Sequence, residues 1–416
     1  MPASPSLRWN APQPAAVLDW QRRQEVFTRT NLTHLYLTQT IAAGSWTLMP
    51  APTLHTPGID TADFAARVLM LSESQRLTQA RTYSIGPNTT GLAVATASGS
   101  APRERICASR APSPAGLMIF ADPIGSDIGR FVTAQGQDVE VHTPIVAVSW
   151  SMWDQEHSQV LGDACPLTWV RRSSERGFIP LPPELTGIWM TFYSARIADT
   201  PTIAPDSVAA VSPYGEAIRA DEAARADAVV QHRNPDLYGP LTWHNELIMP
   251  SGTTFDLHPK PGTAQDWASI VYTTWQIMQQ TGKNQLVKIT RHAPPPAARK
   301  KEKAKERQRG QRSVGDGAVR VVDLAAAQRP AKSNADQDAQ ASDGRRKPAW
   351  SCRWPVPPYR RMTCTNPYLH HKLADDDLKH HSHREDVMPF KIKGPADKPL
   401  RVKGGTTYTF DIDAPQ

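Results

Sequence analysis

The sequence predicts a mixed α/β (α+β) body, with a central sheet and flanking helices, followed by a small β-rich C-terminal module. Three observations carry this expectation. Short runs of β-branched and aromatic residues bounded by Gly and Pro read as buried strands, and they are flanked by stretches with helical periodicity. The 38 prolines among 416 residues exceed the usual share of about 5% and speak against a helical bundle. Finally, a Pro-rich exit and a charged arm separate the body from the terminal module.

The first 14 residues, MPASPSLRWNAPQP, are Pro-rich and expected to be loosely ordered. Ala16, Val17, Trp20, Phe27 and Leu35 to Leu37 then suggest one or two amphipathic helices ending near Gly44. Asp60 follows Pro57 and Gly58 and suits an N-cap, because its carboxylate can accept the orphan N–H groups of a first turn. The helix it opens runs through Phe64, Val68, Leu69 and Leu71. Leu117 to Phe120, Ile145 to Trp150 and Ile188 to Tyr193 read as three buried strands of one sheet. The Ala-rich, charged segment 215–233 favours a helix. Between 264 and 280, Trp267, Ile270, Val271, Thr274 and Met278 share one helical face, with Trp275 beside it.

The body is thus expected over residues 15–290. Ala-Pro-Pro-Pro-Ala at 293–297 gives a stiff, non-helical exit. The segment 291–348 reads as a basic disordered linker, since it holds too few aromatic and apolar residues to bury a core. Its one apolar interruption, Val319 to Ala325, reads as a strand that adds an edge to the sheet of the body or to the terminal module. The terminal module spans 349–416.

The first forty residues contain no continuous apolar run, so neither a signal peptide nor a membrane span is expected. Four cysteines, Cys107, Cys165, Cys352 and Cys364, lack the density of a disulfide scaffold. A cytoplasmic location and no membrane partner follow as expectations. The net charge of +7 is concentrated late: from Arg299 to Arg312 there are eight Lys or Arg against two Glu. Clustered cations of this kind suit a polyanionic partner, RNA or DNA, through phosphate neutralisation. A solvated tether is the plainer alternative.

The terminal module opens on WSCRWPVPPYRRMTCTNPYLHH and is dense in Trp, Tyr, Arg and His. Arg353, Trp354, Tyr359, Arg360, Arg361, Lys391, Lys393 and Lys398 are the expected nucleic-acid contacts, combining base stacking with phosphate neutralisation. Tyr359, Arg361, His383 and Lys393 are also the types that a metal-independent ribonuclease would use for acid–base work and charge stabilisation. Binding without cleavage needs fewer coincidences and is the preferred reading. Cys352, Cys364, His371 and His383 are the candidate ligands should zinc bind, but no Cys-x-x-Cys or His-x-x-x-His pair is present. No cofactor is therefore expected. In the body there is no Walker-type loop, GxGxxG, GxSxG or HExxH motif. His142, Asp154, Glu156 and His157 read as a strand end and exposed loop, and Trp243, His244 and Glu246 as packing and surface.

The stretches CRWPVPPYRR and FKIKGPADKPLRV resemble the ending of a family of uncharacterised actinobacterial proteins encoded near plasmid, phage or integrative-element genes. Those proteins end in a pattern close to RW-x-V-x-GHWR-x-Q followed by a KGPxDKPL segment. Trp354, Val356, Arg361, Lys393, Gly394, Pro395, Asp397, Lys398, Pro399 and Leu400 match it. The strands at 116–120 and 144–150 are similar as well. Tyr359 stands where the pattern has His, and Arg360 where it has Trp. A phenol titrates near 10 and an imidazole near 6.5, so a base at this position is weakened in this chain. The resemblance implies a mobile-element setting and no particular chemistry. Two further roles stay open: a toxin-like nuclease built on the terminal module, and an assembly protein that docks by its tail, with a protein partner or self-association through the body.

Overall fold

The computed structural model describes residues 9–42, 48–52, 60–99, 101–132, 138–154, 167–173, 177–195, 241–256, 259–280, 285–294, 300, 304, 315–325, 353–356, 359–364, 383–388 and 391–393. The expected helix at 215–233 lies outside them.

Helices α1 (Val17–Thr28) and α2 (Asn31–Ala42) confirm the paired helical start. Asp60 caps α3 (Thr61–Gln79), its carboxylate accepting from the Ala62 N–H at 2.8 Å and the Asp63 N–H at 3.5 Å. Asp60→Ala is expected to lower stability by about 1 kcal/mol, read as a shift in a urea titration. No glycine closes α3 at its far end. Gln21 of α1 instead donates Nε2 to the carbonyls of Leu77 and Ala80, and the Gly315 N–H donates to the Thr78 carbonyl. Gly315 has φ +52, and a Cβ there would sit 2.5 Å from the Ala80 oxygen, so glycine is required.

The three predicted strands are β3 (Ala115–Phe120), β5 (Asp138–Trp153) and β8 (Gly187–Ala195), and they lie side by side. They form the centre of an eight-stranded mixed sheet. With β2 (Arg81–Ile85), β9 (Leu241–Pro250), β10 (Val287–His292) and β11 (Val319–Leu324), the order is β10-β11-β2-β3-β5-β8-β9. Strand β4 (Gly125–Val132) pairs with the first half of β5 off this path. β11, β2 and β3 run parallel, and the remaining pairs are antiparallel. A three-stranded sheet joins β1 (Leu48–Pro52), β6 (Leu167–Ser173) and β7 (Gly177–Pro180).

The linker expectation for 291–348 is corrected at 319–324. The apolar run there is indeed a strand, but an internal one: β11 sits between β10 and β2 and brings the chain back into the body. The body therefore does not end at 290. Val319 and Val321 face one core and Val322 the other, which explains why VRVV lacks alternation: both faces of an internal strand are covered.

The large sheet has a core on each side. On one face Leu117, Ile119, Trp189 and Tyr193 meet α1, α2, α3 and the Trp169 indole of β6. On the other, Met118, Val148, Trp150, Met190 and Phe192 meet α4 (Pro87–Gly99) and α5 (Ala264–Met278). Helix α4 has no strong sequence signature; Thr89, Thr90 and Gly91 break any apolar stripe, and Ala93 and Ala97 are small enough to let it lie against α5. Being covered by α4 as well as by the sheet, α5 is buried on all sides from Trp267 to Met278, not on the single face its periodicity suggested. Thr263 caps it, accepting from the Asp266 N–H.

In the terminal module two antiparallel pairs are described. β12 (Trp354–Val356) pairs with β15 (Lys391–Lys393), and β13 (Tyr359–Cys364) with β14 (His383–Met388).

Candidate functional site

Strand register decides which of the terminal residues share a surface. Side chains directly opposite in an antiparallel pair lie on one face, and successive residues alternate. On β13–β14, Tyr359, Arg361 and Thr363 are the register partners of Met388, Asp386 and Arg384, and Arg360, Met362 and Cys364 those of Val387, Glu385 and His383. On β12–β15, Trp354 is opposite Lys393 and Val356 is opposite Lys391. Arg361, Arg384 and Lys393 are exposed, and Arg353 and Trp354 are half-buried. Lys398, Cys352 and His371 lie outside the described residues.

The candidate ribonuclease set is therefore spread along the pair, with Tyr359 at the start of β13 and His383 opposite Cys364 at its end. Arg361 also faces an acid. It is opposite Asp386, whose carboxylate accepts from Arg384 Nε at 2.8 Å and Nη2 at 3.3 Å. The Arg384 hydrogen bonds, then that of Thr363, hold the Asp386 carboxyl below its usual range. Cys364 and His383 are register partners, yet among the described residues no three His, Cys, Asp or Glu groups are placed to hold a metal. Of the loop candidates, His142 is exposed on β5 and Asp154 is half-buried after it, while Glu156 and His157 lie outside the described residues.

A second constellation, which the sequence reading passed over, lies inside the body under α3. Glu73, Arg76 and Glu246 are 0%, 5% and 1% exposed, so three ionisable groups share a water-excluded interior. Arg76 Nη2 forms an ion pair with Glu73 Oε2 and reaches Glu246 Oε1 at 3.4 Å. Glu73 Oε1 accepts from the Ser149 hydroxyl at 2.7 Å and from the Tyr193 hydroxyl. Thr191 Oγ1 accepts from Arg76 Nη2 at 2.6 Å and lies 3.1 Å from both Glu73 Oε2 and Glu246 Oε1. One hydroxyl has one hydrogen, so only one of those carboxylates can receive it.

Two carboxylates against one guanidinium leave a surplus of buried negative charge. Burial is the main cause that lifts Glu246 from 4.5 to about 7; Arg76 opposes the rise and Glu73 adds to it. A proton on Glu246 both removes the surplus and supplies a second donor toward Thr191. Burial, reinforced by the Glu73 charge, pushes the Tyr193 phenol well above its ordinary value, so it remains a neutral donor. The Arg76 guanidinium carbon lies 3.7 Å from the centre of the Trp189 ring, a cation–π contact that covers the flat face of the cation.

The expectation that Glu246 is a surface residue is thus corrected, while Trp243 is packed as expected. A sequence signal for the cluster exists in hindsight. Glu73 lies four residues from both Leu69 and Leu77, which are fully buried, so it interrupts the apolar stripe of α3. Beside the cluster, α3 and the ends of β3, β5 and β8 enclose a cleft of about 400 Å³, with Arg76 and Trp189 in its lining.

Together these features define an α/β protein with a mixed eight-stranded sheet, helices on both faces and a buried acid–base cluster. No family model, curated protein or solved structure matches the chain. No helix among the described residues is long and apolar enough to cross a membrane.

Proposed function

We propose that this protein binds nucleic acid, RNA or DNA, through its basic arm and terminal module, in the setting of a mobile element or phage-related system. The observation that carries this reading is the strand register of the terminal module. It sets the aromatic Trp354 opposite the cationic Lys393 and puts Tyr359 two residues from Arg361 on β13, and Arg361, Arg384 and Lys393 are exposed. Stacking on aromatic rings beside phosphate-seeking cations is the pattern of sequence-tolerant strand binding. Edge strand β10 adds exposed Lys288, Arg291 and His292 immediately before the arm. Binding is favoured over cleavage because His383 pairs with Cys364, at the other end of β13 from Tyr359.

A filter-binding titration at two or more salt concentrations tests the proposal. The wild-type chain is expected to bind with a steep negative dependence on salt. Changing Arg360, Arg361, Lys391 and Lys393 together to Ala should flatten the log–log slope by up to about 3 to 4, since each lost phosphate contact removes about 0.7–0.9. Absence of affinity for single-stranded and duplex nucleic acid at low salt would overturn the reading. RNA incubated with the protein is expected to stay intact with and without chelator; cleavage would move the assignment to the nuclease alternative.

A further inference from the structure

The two ends of the large sheet are finished differently. β9, at one end, has no exposed residue, whereas at the other end every residue of β10 after Val287 is exposed. Ile289 is 44% exposed, and it and Leu71 are the exposed large hydrophobics among the described residues. An edge strand presents a row of N–H and C=O groups to which another stretch of chain can pair, and its alternating side chains select which stretch fits.

Hydrogen bonds around β11 show which groups of β10 face outward. The Ala325 N–H donates to the Leu286 carbonyl at 2.8 Å, and Val322, the register partner of Ile289, turns its carbonyl away to accept from the Gly86 N–H at 3.0 Å. Bonded and non-bonded pairs alternate along an antiparallel ladder. The peptide groups of Lys288, Thr290 and His292 therefore point to β11, and those of Val287, Ile289 and Arg291 to the free edge. The Val287 carbonyl accepts from Gln285 Nε2 at 3.0 Å. The peptide N–H and C=O groups of Ile289 and Arg291 have no partner among the described residues.

Charge speaks against a second copy of β10 as the occupant. Lys288 and His292 form no ion pair among the described residues, and Arg291 reaches Asp316 at 3.9 Å. Two such strands side by side would crowd like charges. The edge suits a strand that is apolar on one face and acidic on the other, and the chain contains one. In TYTFDID at 407–413, Tyr408, Phe410 and Ile412 alternate with Thr409, Asp411 and Asp413, between Gly404-Gly405 and Pro415. This segment lies outside the described residues.

We propose that 407–412 docks on the free edge of β10 in the same molecule as an added antiparallel strand, with Phe410 opposite Ile289. That register sets Ile412 beside Val287 and Tyr408 beside Arg291 on one face, and Asp411 beside Lys288 and Thr409 beside Thr290 on the other. Apolar side chains meet apolar ones, a ring meets a guanidinium and a carboxylate meets an ammonium. A slip of one residue would set Asp411 beside Ile289 and Ile412 beside Lys288, and both matches would be lost. About 80 residues separate β11 from the segment, so at about 3.3 Å per extended residue its reach sets no limit. Docking goes beyond the nucleic-acid reading and does not depend on it. It also neutralises Lys288, so a polyanion has to displace the segment to reach β10.

Amide hydrogen exchange on the full-length chain, without nucleic acid, tests the docking. The outward amides of Ile289 and Arg291 are expected to exchange at least about tenfold more slowly than solvent-exposed amides. Phe410→Asp should return them to fast exchange while Leu117 and Ile119 of the central strand stay protected. Thr290 and Thr409 would stand at a non-hydrogen-bonded position, with Cα atoms about 4.5 Å apart, within disulfide range. The double variant Thr290→Cys, Thr409→Cys should therefore form that disulfide within a monomer under mild oxidation, as read by peptide mapping. Fast exchange at Ile289 and Arg291 in the wild-type chain, or protection that survives Phe410→Asp, would overturn the proposal. So would a 290–409 disulfide that fails to form or that joins only separate molecules.

Discussion

Replacing Arg76 by Met is expected to lower the unfolding free energy by about 3–5 kcal/mol at pH 8, the cost of leaving a buried ion pair without one partner. The same substitution should cost clearly less at pH 5. In the variant Glu73 and Glu246 are left facing each other without compensation, and only protonation relieves them. Glu246 already has a folded-state value of about 7 in the intact protein, raised mainly by burial, against an ordinary 4.5. The folded state therefore holds this proton more tightly than the unfolded chain. The stability linked to it is fully present below about pH 4.5 and is lost as the pH rises through about 7, on the order of 3 kcal/mol across that window. Denaturant titrations from pH 5 to 8 measure both effects. Glu246→Gln should flatten the wild-type profile over that range, and an unchanged slope in that variant would contradict the assignment.

Gly116→Ala is expected to be as damaging, although it adds a single methyl group. Gly116 on β3 is the register partner of Trp150 on β5, and the indole lies across the glycine. A Cβ at position 116 would stand 2.1 Å from the Trp150 ring. The ring has no route of retreat. Its N–H donates to the Ser113 carbonyl at 3.0 Å, and Tyr83 and Trp275 pack against it with ring centres 5.6 and 5.1 Å away. Overpacking a fixed core typically costs 1–3 kcal/mol, and about 3 kcal/mol is expected here because both neighbours of the ring are aromatic. Loss of near-ultraviolet circular dichroism together with a lower urea midpoint would report it. Restoring the fold by adding Trp150→Leu would identify the clash as the cause.

The two substitutions probe features that differ in how legible they were. The strands at 117–120, 145–150 and 188–193 could be read directly, because a strand buried on both faces must be a short continuous apolar run, and composition records that. The Asp60 cap was legible for a related reason: donor and acceptor lie two residues apart. Helix α4 was not legible, since its stability comes from lying against α5, and its Thr- and Ala-rich sequence is a weak helical signal taken alone. The terminal residues were legible as chemical types but not as an arrangement. Which of Tyr359, Arg361 and His383 share a face depends on the pairing of β13 with β14, and a shift of one residue would reverse it.

By itself the sequence determined the fold class, the position of the central strands, the start of α3, the place of α5 and the concentration of positive charge in the last third of the chain. Each is written in neighbouring residues, through periodicity, capping and composition. Only the tertiary structure decided that 319–324 returns to become an internal strand, that α5 is buried all round, and that Glu73 and Arg76 meet a glutamate at 246. Arg76 and Glu246 are 170 residues apart along the chain. Nothing local distinguishes a glutamate facing water from one facing a guanidinium, because a charged side chain acquires its meaning from whatever the fold brings against it.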